Sequence, residues 1–261
     1  MLTANKLKGE FMSKNFEIIN KEINENNIIA NLFIFPFAGG GVSAFRKWKD
    51  EFEDIKLFVA QYPGRENRFS EKAISDINIL VDSLFEDMKE NFDFRKPYHL
   101  FGHSMGTKIV YELALRIKNS DYINPRGIII SGGRAPLYKE PHPIYHLDDD
   151  GFIEGLRRYE GTPKEILANK DLISIFLPTL RADFVIDEDY QDTKFEKLES
   201  PILGFMGDKD QEMTLDELIK WQDYTTKEFT YRYIDGKHMF VNTSPESVIK
   251  EIKEFIKVNE N

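Results

Sequence analysis

The stretch Tyr98-His99-Leu100-Phe101-Gly102-His103-Ser104-Met105-Gly106, followed by Lys108 to Ile117, decides the fold. An apolar run enters a G-x-S-x-G pentapeptide, and a segment with helical spacing leaves it. In that order the serine falls on a sharp strand-to-helix turn. Glycines at 102 and 106 remove Cβ atoms that would collide with the neighbouring strand and helix. The turn lifts the Ser104 hydroxyl above a sheet and sets it at a helix N-terminus, where developing negative charge is favoured. Such a pentapeptide arises by chance fairly often, and a serine there can simply cap a helix. The flanking strand and helix are what give this one meaning.

Working outward, the same alternation repeats. Leu32-Phe33-Ile34-Phe35 is a short apolar run stopped by Pro36 and by Gly39, Gly40 and Gly41; Val42 to Phe52 then reads as a helix. Lys56-Leu57-Phe58-Val59-Ala60 is a second buried strand, and Ile77 to Phe92 has apolar residues at helical spacing. Ile128-Ile129-Ile130 is a fourth strand, after the one at 98–101. Strands that are apolar on both faces and alternate with helices imply a mostly parallel, doubly wound sheet of the α/β class, covered on both sides.

After Gly133 the alternation stops until Pro201, a gap far too long for one crossover. Helical segments are expected near Gly151–Tyr159, Lys164–Ala168 and Lys170–Phe176, with a longer one through Arg181–Ile186. Residues 134–200 are therefore read as an inserted helical lid, and residues 31–133 and 201–261 as the core. In the second part of the core come a strand at 201–206, a helix at Leu215–Thr225, a strand at Phe229–Ile234 and a terminal helix. Ser244 is placed as the N-cap of that last helix and Pro245 as its first residue. Residues 1–30 are polar and charged, and are expected to form a leader, partly disordered, with an edge strand near Phe16–Asn20.

Composition narrows the chemistry. The chain has 261 residues, 41% of them hydrophobic, and no cysteine. That removes disulfides, thiolate metal sites and cysteine nucleophiles together, and suits the cytoplasm. With 35 Lys and Arg against 45 Asp and Glu, the formal charge of −10 has the wrong sign for a nucleic-acid binder. No apolar run is long enough to span a membrane, and the N-terminus lacks the apolar core of a secretory signal. No metal and no cofactor are expected.

A serine hydroxyl needs a base. Of the five histidines, His99 lies on a buried strand and His103 sits in the elbow pointing away from Ser104. His142 and His146 fall at the lid entrance. His238 follows the last strand, in Asp235-Gly236-Lys237-His238-Met239-Phe240, and strand C-termini of a parallel sheet share one edge. His238 is therefore the expected base. The acid should follow the preceding strand, in Gly207-Asp208-Lys209-Asp210. Asp210 is preferred, since the chain must turn at Gly207 before an acid can point back; Asp208 is the alternative, or else a turn residue bonding its own backbone. Two backbone N–H groups should hold the oxyanion: Met105, and either Phe37 or Ala38. Gly39, Gly40, His103, Met239 and Phe240 complete the expected substrate-binding set. Together these residues read as a serine hydrolase of α/β-hydrolase fold.

Five motifs in order resemble a known family. Phe35-Pro36-Phe37-Ala38-Gly39-Gly40, Tyr62-Pro63-Gly64-Arg65, Gly102-His103-Ser104-Met105-Gly106, Leu177-Pro178-Thr179-Leu180-Arg181-Ala182-Asp183 and Gly236-Lys237-His238-Met239-Phe240 are similar to those of the type II (external, editing) thioesterases of nonribosomal peptide and polyketide synthesis. The resemblance runs from about Asn31 to Val258 and leaves out residues 1–30. Thr107 stands where the family often has another glycine. The resemblance implies an acyl or aminoacyl thioester substrate on the phosphopantetheine arm of a carrier protein, removed where a synthase module is misprimed or stalled. It supports Ser104, Asp210 and His238 as the triad, with no cofactor beyond the arm of the substrate; a monomer is the simplest expectation.

Since carrier proteins are usually acidic, docking would use a local basic patch, with Arg65, Arg68, Arg126, Arg134, Lys139 and Lys237 as candidates. Phe152, Leu156, Ile166, Leu172, Ile175, Phe176 and Leu177 are expected to line an acyl pocket or to pack on one another. Asp183 either ties the lid to the core through Arg181 or is a solvated acid. Rival readings are a carboxylesterase or lipase-like hydrolase of free small esters, an acyl transferase to an amine or alcohol, and a non-catalytic binding protein on the same scaffold.

Overall fold

The apolar runs become strands of one sheet. The computed structural model describes residues 13–159 and 161–260; the expectation for residues 1–12 of the leader lies outside the described residues. In chain order come β1 (Phe16–Ile18), β2 (Ala30–Phe35), β3 (Ile55–Ala60), α1 (Ile77–Asn91), β4 (Tyr98–His103), α2 (Met105–Lys118) and β5 (Gly127–Ser131). Three helices follow, α3 (Asp149–Tyr159), α4 (Lys164–Ala168) and α5 (Lys170–Glu188). The chain then closes with β6 (Ile202–Gly207), α6 (Leu215–Ile219), β7 (Phe229–Ile234), α7 (Phe240–Thr243) and α8 (Pro245–Glu260).

The sheet has the order β1-β3-β2-β4-β5-β6-β7. Only the edge pair β1·β3 is antiparallel, with Phe16 opposite Ala60; the other pairs are parallel. The registers Phe35↔Gly102, His103↔Ser131 and Gly207↔Ile234 bring the C-terminal strand ends to a common edge. The loops that carry chemistry in such folds leave from that edge.

Side chains alternate between two layers, as a strand period of two requires. Phe33, Phe35, Leu100 and Ile130 pack with Leu84 and Met88 of α1 and Val110 and Leu113 of α2. Leu32, Ile34, Phe101 and Phe205 pack on the other face with Phe45, Trp48 and, from α8, Ile252 and Ile256. Burying each such side chain stabilises the fold by about 1.5–3 kcal/mol.

Two expected helices are wound more tightly than α. Val42–Asp50 is 3-10 helix, and so is Lys220–Tyr224 after α6. The burial explains both. Val42, Phe45 and Trp48 are the buried residues of the first, and Trp221 and Tyr224 of the second. A period of three puts residues three apart on one face. Conversely, the two segments expected at 170–176 and 181–186 are a single helix running through Pro178. Pro178 removes one N–H donor, but Ile173, Leu180 and Phe184 pack on both sides of it with Phe152, Leu156 and Tyr159. Ser244 does precede Pro245, yet its hydroxyl donates to the Asp235 carbonyl at 2.7 Å.

Candidate active site

Ser104 has φ 53° and ψ −119°, left-handed backbone for a side-chain-bearing residue. The turn is held by the Ser104 N–H donating to the Ser131 carbonyl at 2.8 Å and the Thr107 N–H donating to the Ser104 carbonyl at 2.9 Å. The two elbow glycines are dictated by space. A Cβ on Gly102 would lie 2.2 Å from the Gly106 carbonyl oxygen, and one on Gly106 would lie 2.0 Å from the Phe35 carbonyl oxygen. Strand, elbow and helix therefore interlock only without those atoms.

The loop after β7 brings His238 over this elbow. Its Nε2 lies 3.0 Å from Ser104 Oγ, and its Nδ1 lies 3.0 Å from Asp210 Oδ2. This network fits the tautomer in which Nδ1–H donates to the carboxylate and Nε2 accepts the serine proton. Asp210 Oδ1 accepts the Glu212 N–H at 2.8 Å, which fixes the carboxylate. Asp208, the alternative, accepts the Gly236 N–H at 2.8 Å and serves the turn. Burial pulls the His238 pKa down, but the hydrogen bond and charge of Asp210, then the charges of Glu212 and Asp187, outweigh it and the net shift is upward.

The remaining histidines are elsewhere. His99 is fully buried, 2.9 Å from Glu260 Oε1. His142 and His146 are exposed. His103 is fully buried behind the triad, with Nδ1 2.8 Å from Ser131 Oγ and its ring edge-on to Phe37 and Phe240. Burial, then repulsion from His238, pushes its pKa well down, so it stays neutral beside His238.

Ser104 and His238 open on a cavity of about 20 Å3, also bordered by Phe37, Ala38 and Met239 and, from the inserted helices, Leu156, Tyr159, Phe184 and Asp187. That volume holds about one water. The structure thus brings Ser104, His238, Asp210, Phe37, Ala38 and Met239 together, with Met105 adjoining Ser104. Of the expected substrate-binding set, Met239 alone borders the cavity. Gly39 donates its N–H to Asp183 Oδ2 at 2.7 Å, and Gly40 donates its N–H to the Phe37 carbonyl at 2.8 Å. His103 and Phe240 lie one layer behind.

The inserted helices divide differently from expectation. Leu156 reaches the cavity, while Phe152 sits in the helices' own apolar cluster, with Ile166 and Leu177 at its margin. Leu172, Ile175 and Phe176 are exposed. Tyr159, Phe184 and Asp187 were not anticipated. The available signal was a run of acids, Asp183, Asp187 and Glu188, on an otherwise apolar helix.

Those acids are buried and paired. Asp183 takes a two-pronged ion pair from Arg65, at 2.6 and 2.7 Å, and also holds Gly39. The tie from α5 to the core thus runs through Arg65; Arg181 instead bonds Asp149 and the Tyr145 carbonyl. Lys108 of α2 pairs with the Asp187 carboxylate and donates to its backbone carbonyl. Glu188 accepts the N–H groups of Ile144 and Tyr145 through one oxygen and the Tyr159 hydroxyl through the other. Burial, opposed by those donors, raises its pKa to about 7.

The expected basic patch does not form as such. Arg65, Arg68 and Arg134 are buried, with Arg68 held by Glu71 and Asn15, and Arg134 by Glu140. Arg126 adjoins the start of β5, at the opposite edge of the sheet. Lys139 and Lys237 remain on the surface. Among the described residues, no group of three or more His, Cys, Asp or Glu is placed to hold a metal, and no helix is long and apolar enough to cross a membrane.

Comparison with known proteins agrees with this geometry. Residues 30–256 match the Thioesterase domain family. The chain is 37% identical to the gramicidin S biosynthesis protein GrsT of Aneurinibacillus migulanus, over 84% of this chain and 86% of that protein. The solved structure of YbtT, a type II thioesterase from the yersiniabactin NRPS/PKS pathway, superposes with a TM-score of 0.86 at 28% identity, covering 94% of this chain and 99% of that one. RedJ, a thioesterase from the prodiginine pathway of Streptomyces coelicolor, gives 0.81 at 29% identity, covering 88% and 86%.

Proposed function

The chain belongs to the thioesterase family and is a serine hydrolase acting on thioesters; from that premise we propose that it clears acyl and aminoacyl groups from the phosphopantetheine arm of carrier proteins, as an editing enzyme of peptide or polyketide assembly. The observation that carries the chemistry is the continuous relay from Ser104 through His238 to Asp210, two contacts of 3.0 Å each.

In this reading Ser104 Oγ attacks the thioester carbonyl while its proton passes to His238 Nε2. Asp210 holds the imidazole and stabilises its cationic form. The oxyanion is received by the N–H of Met105 and that of Phe37 or Ala38, each such donor being worth about 3 kcal/mol. The C–S bond breaks, and the departing thiolate takes the proton from His238. A thiol with a pKa of roughly 8.5 leaves readily. Water then attacks the acyl-serine, gives its proton to His238, and the acid departs as Ser104 is reprotonated. These steps use one polypeptide, consistent with a monomer, and call for no bound cofactor beyond the arm that belongs to the substrate.

Residues 134–200 act as the lid over a core of 31–133 and 201–261. The cavity is narrow, with room for about one water, and in this reading α3–α5 shift to admit an acyl group. A carrier-bound substrate supports a cytoplasmic activity.

The test is mass spectrometry of a carrier domain loaded with acetyl or alanyl groups, before and after incubation. The free thiol should reappear with the parent protein and not with Ser104→Ala. A kcat/KM on a simple nitrophenyl ester exceeding that on the loaded carrier would replace this reading with the esterase one.

A further inference from the structure

Asp187 is a carboxylate bordering the cavity beside Ser104 and His238, and the hydrolytic steps above do not use it. It lies on the last turn of α5, where backbone carbonyls give the helix end a partial negative charge. Lys108, one helical turn beyond the nucleophile, grips Oδ1 and the backbone carbonyl. This fixes the carboxylate while Oδ2 takes no part in that grip. Among the described residues that line the cavity, Asp187 is the one carboxylate. A cavity walled this way favours a positive charge on its occupant and disfavours a negative one.

We propose that Asp187, steadied by Lys108, is a specificity-determining residue whose second carboxylate oxygen, Oδ2, receives the protonated amine of an aminoacyl group bound for Ser104. The inference rests on the thioesterase reading and adds which acyl groups are preferred. An α-ammonium is one carbon removed from the reacting carbonyl, so it comes to lie against the wall that Asp187 shares with Ser104 and His238. A carboxylate on the acyl group, as in malonyl, meets repulsion at the same place.

The test compares pantetheine thioesters of alanine, isobutyrate and malonate. Alanyl and isobutyryl have nearly the same shape and differ in one ammonium group. The parent should prefer alanyl to isobutyryl in kcat/KM by about tenfold or more, the scale of one charge-assisted hydrogen bond. Asp187→Asn should collapse that ratio and raise the malonyl-to-isobutyryl ratio. Lys108→Met/Asp187→Asn, which buries no unpaired charge, should do the same and decides the matter if the single variant fails to fold. Lys108→Met alone should steepen the preference for alanyl. No alanyl preference in the parent, or ratios unmoved in the variants, overturns the inference while leaving the thioesterase reading standing. Failure of the parent to cleave all three thioesters removes both.

Discussion

At the residue scale, the nucleophile's surroundings are set by atoms that are missing as much as by those present. Replacing Gly106 with Ala drives a Cβ to 2.0 Å from the Phe35 carbonyl oxygen. Both contacting groups are backbone, so β2 or α2 must move. Loss of soluble folded protein, or more than about 4 kcal/mol of stability by denaturant titration, is the expected result. Asp210→Asn should lower kcat by about 10⁴ with the fold intact, because the imidazole is then held in the wrong tautomer. Glu212 acts on the same imidazole through space. His238 must be neutral to accept a proton, so activity rises as pH climbs through its upward-shifted pKa. Glu212→Gln removes a negative charge that holds that pKa up, so the acidic limb of the kcat/KM profile should move to lower pH. A limb that stays in place would remove Glu212 from the electrostatics of the base. Ser104, His238 and Asp210 were legible in the sequence because chain order and strand ends constrain them. Tyr159 and Asp187 were not, since nothing in a linear reading says which sides of α3 and α5 face the elbow.

At the element scale, the signals of period and breaker residues were read as α where packing chose otherwise. Val42, Phe45 and Trp48 recur every third residue, and that spacing was visible before any coordinates. That spacing suits a 3-10 helix as well as an α-helix, so a reading of helix alone leaves the winding open. Pro178 suggested a break, and tertiary contacts on both sides of it kept α5 whole. The seam between α5 and the core is ionic. Asp183→Ala strands the buried Arg65 guanidinium, a change that costs about 3–5 kcal/mol. A fall in Tm of roughly 10 °C should follow, with kcat falling as well because Gly39 loses its acceptor. Glu188 gives the opposite kind of dependence. Its folded pKa of about 7 exceeds the ordinary value of 4.5, so its contribution is fully present below the unfolded value and is lost as pH rises through about 7. Between roughly pH 5 and 8 the parent should lose Tm relative to Glu188→Gln; parallel curves for the two proteins would contradict this.

At the scale of the whole molecule, the α/β alternation is enough to show a mostly parallel sheet and helices inserted between β5 and β6, while the strand order comes from the structure. What the alternation could not declare was which cations face outward. Arg65, Arg68 and Arg134 look available in a linear sequence and are consumed internally by Asp183, Glu71 and Glu140. A chain of net charge −10 with those side chains committed should meet an acidic carrier through apolar contact. Raising salt from about 50 to 500 mM should leave kcat/KM on carrier-bound substrate unchanged or raise it, as screening relieves repulsion between two acidic partners. A tenfold fall would reveal a basic docking surface.

Asp183 rides on α5, the proposed cover, yet it grips Gly39, next door to the amides proposed to receive the developing charge. Cover and catalytic loop are therefore geared together. A guest too bulky to let the cover seat itself would slacken the very loop it needs, and meet a disarmed chamber. Cleavage becomes conditional on a snug fit, so a carrier arm bearing a long growing chain could probe the entrance and withdraw with its cargo intact.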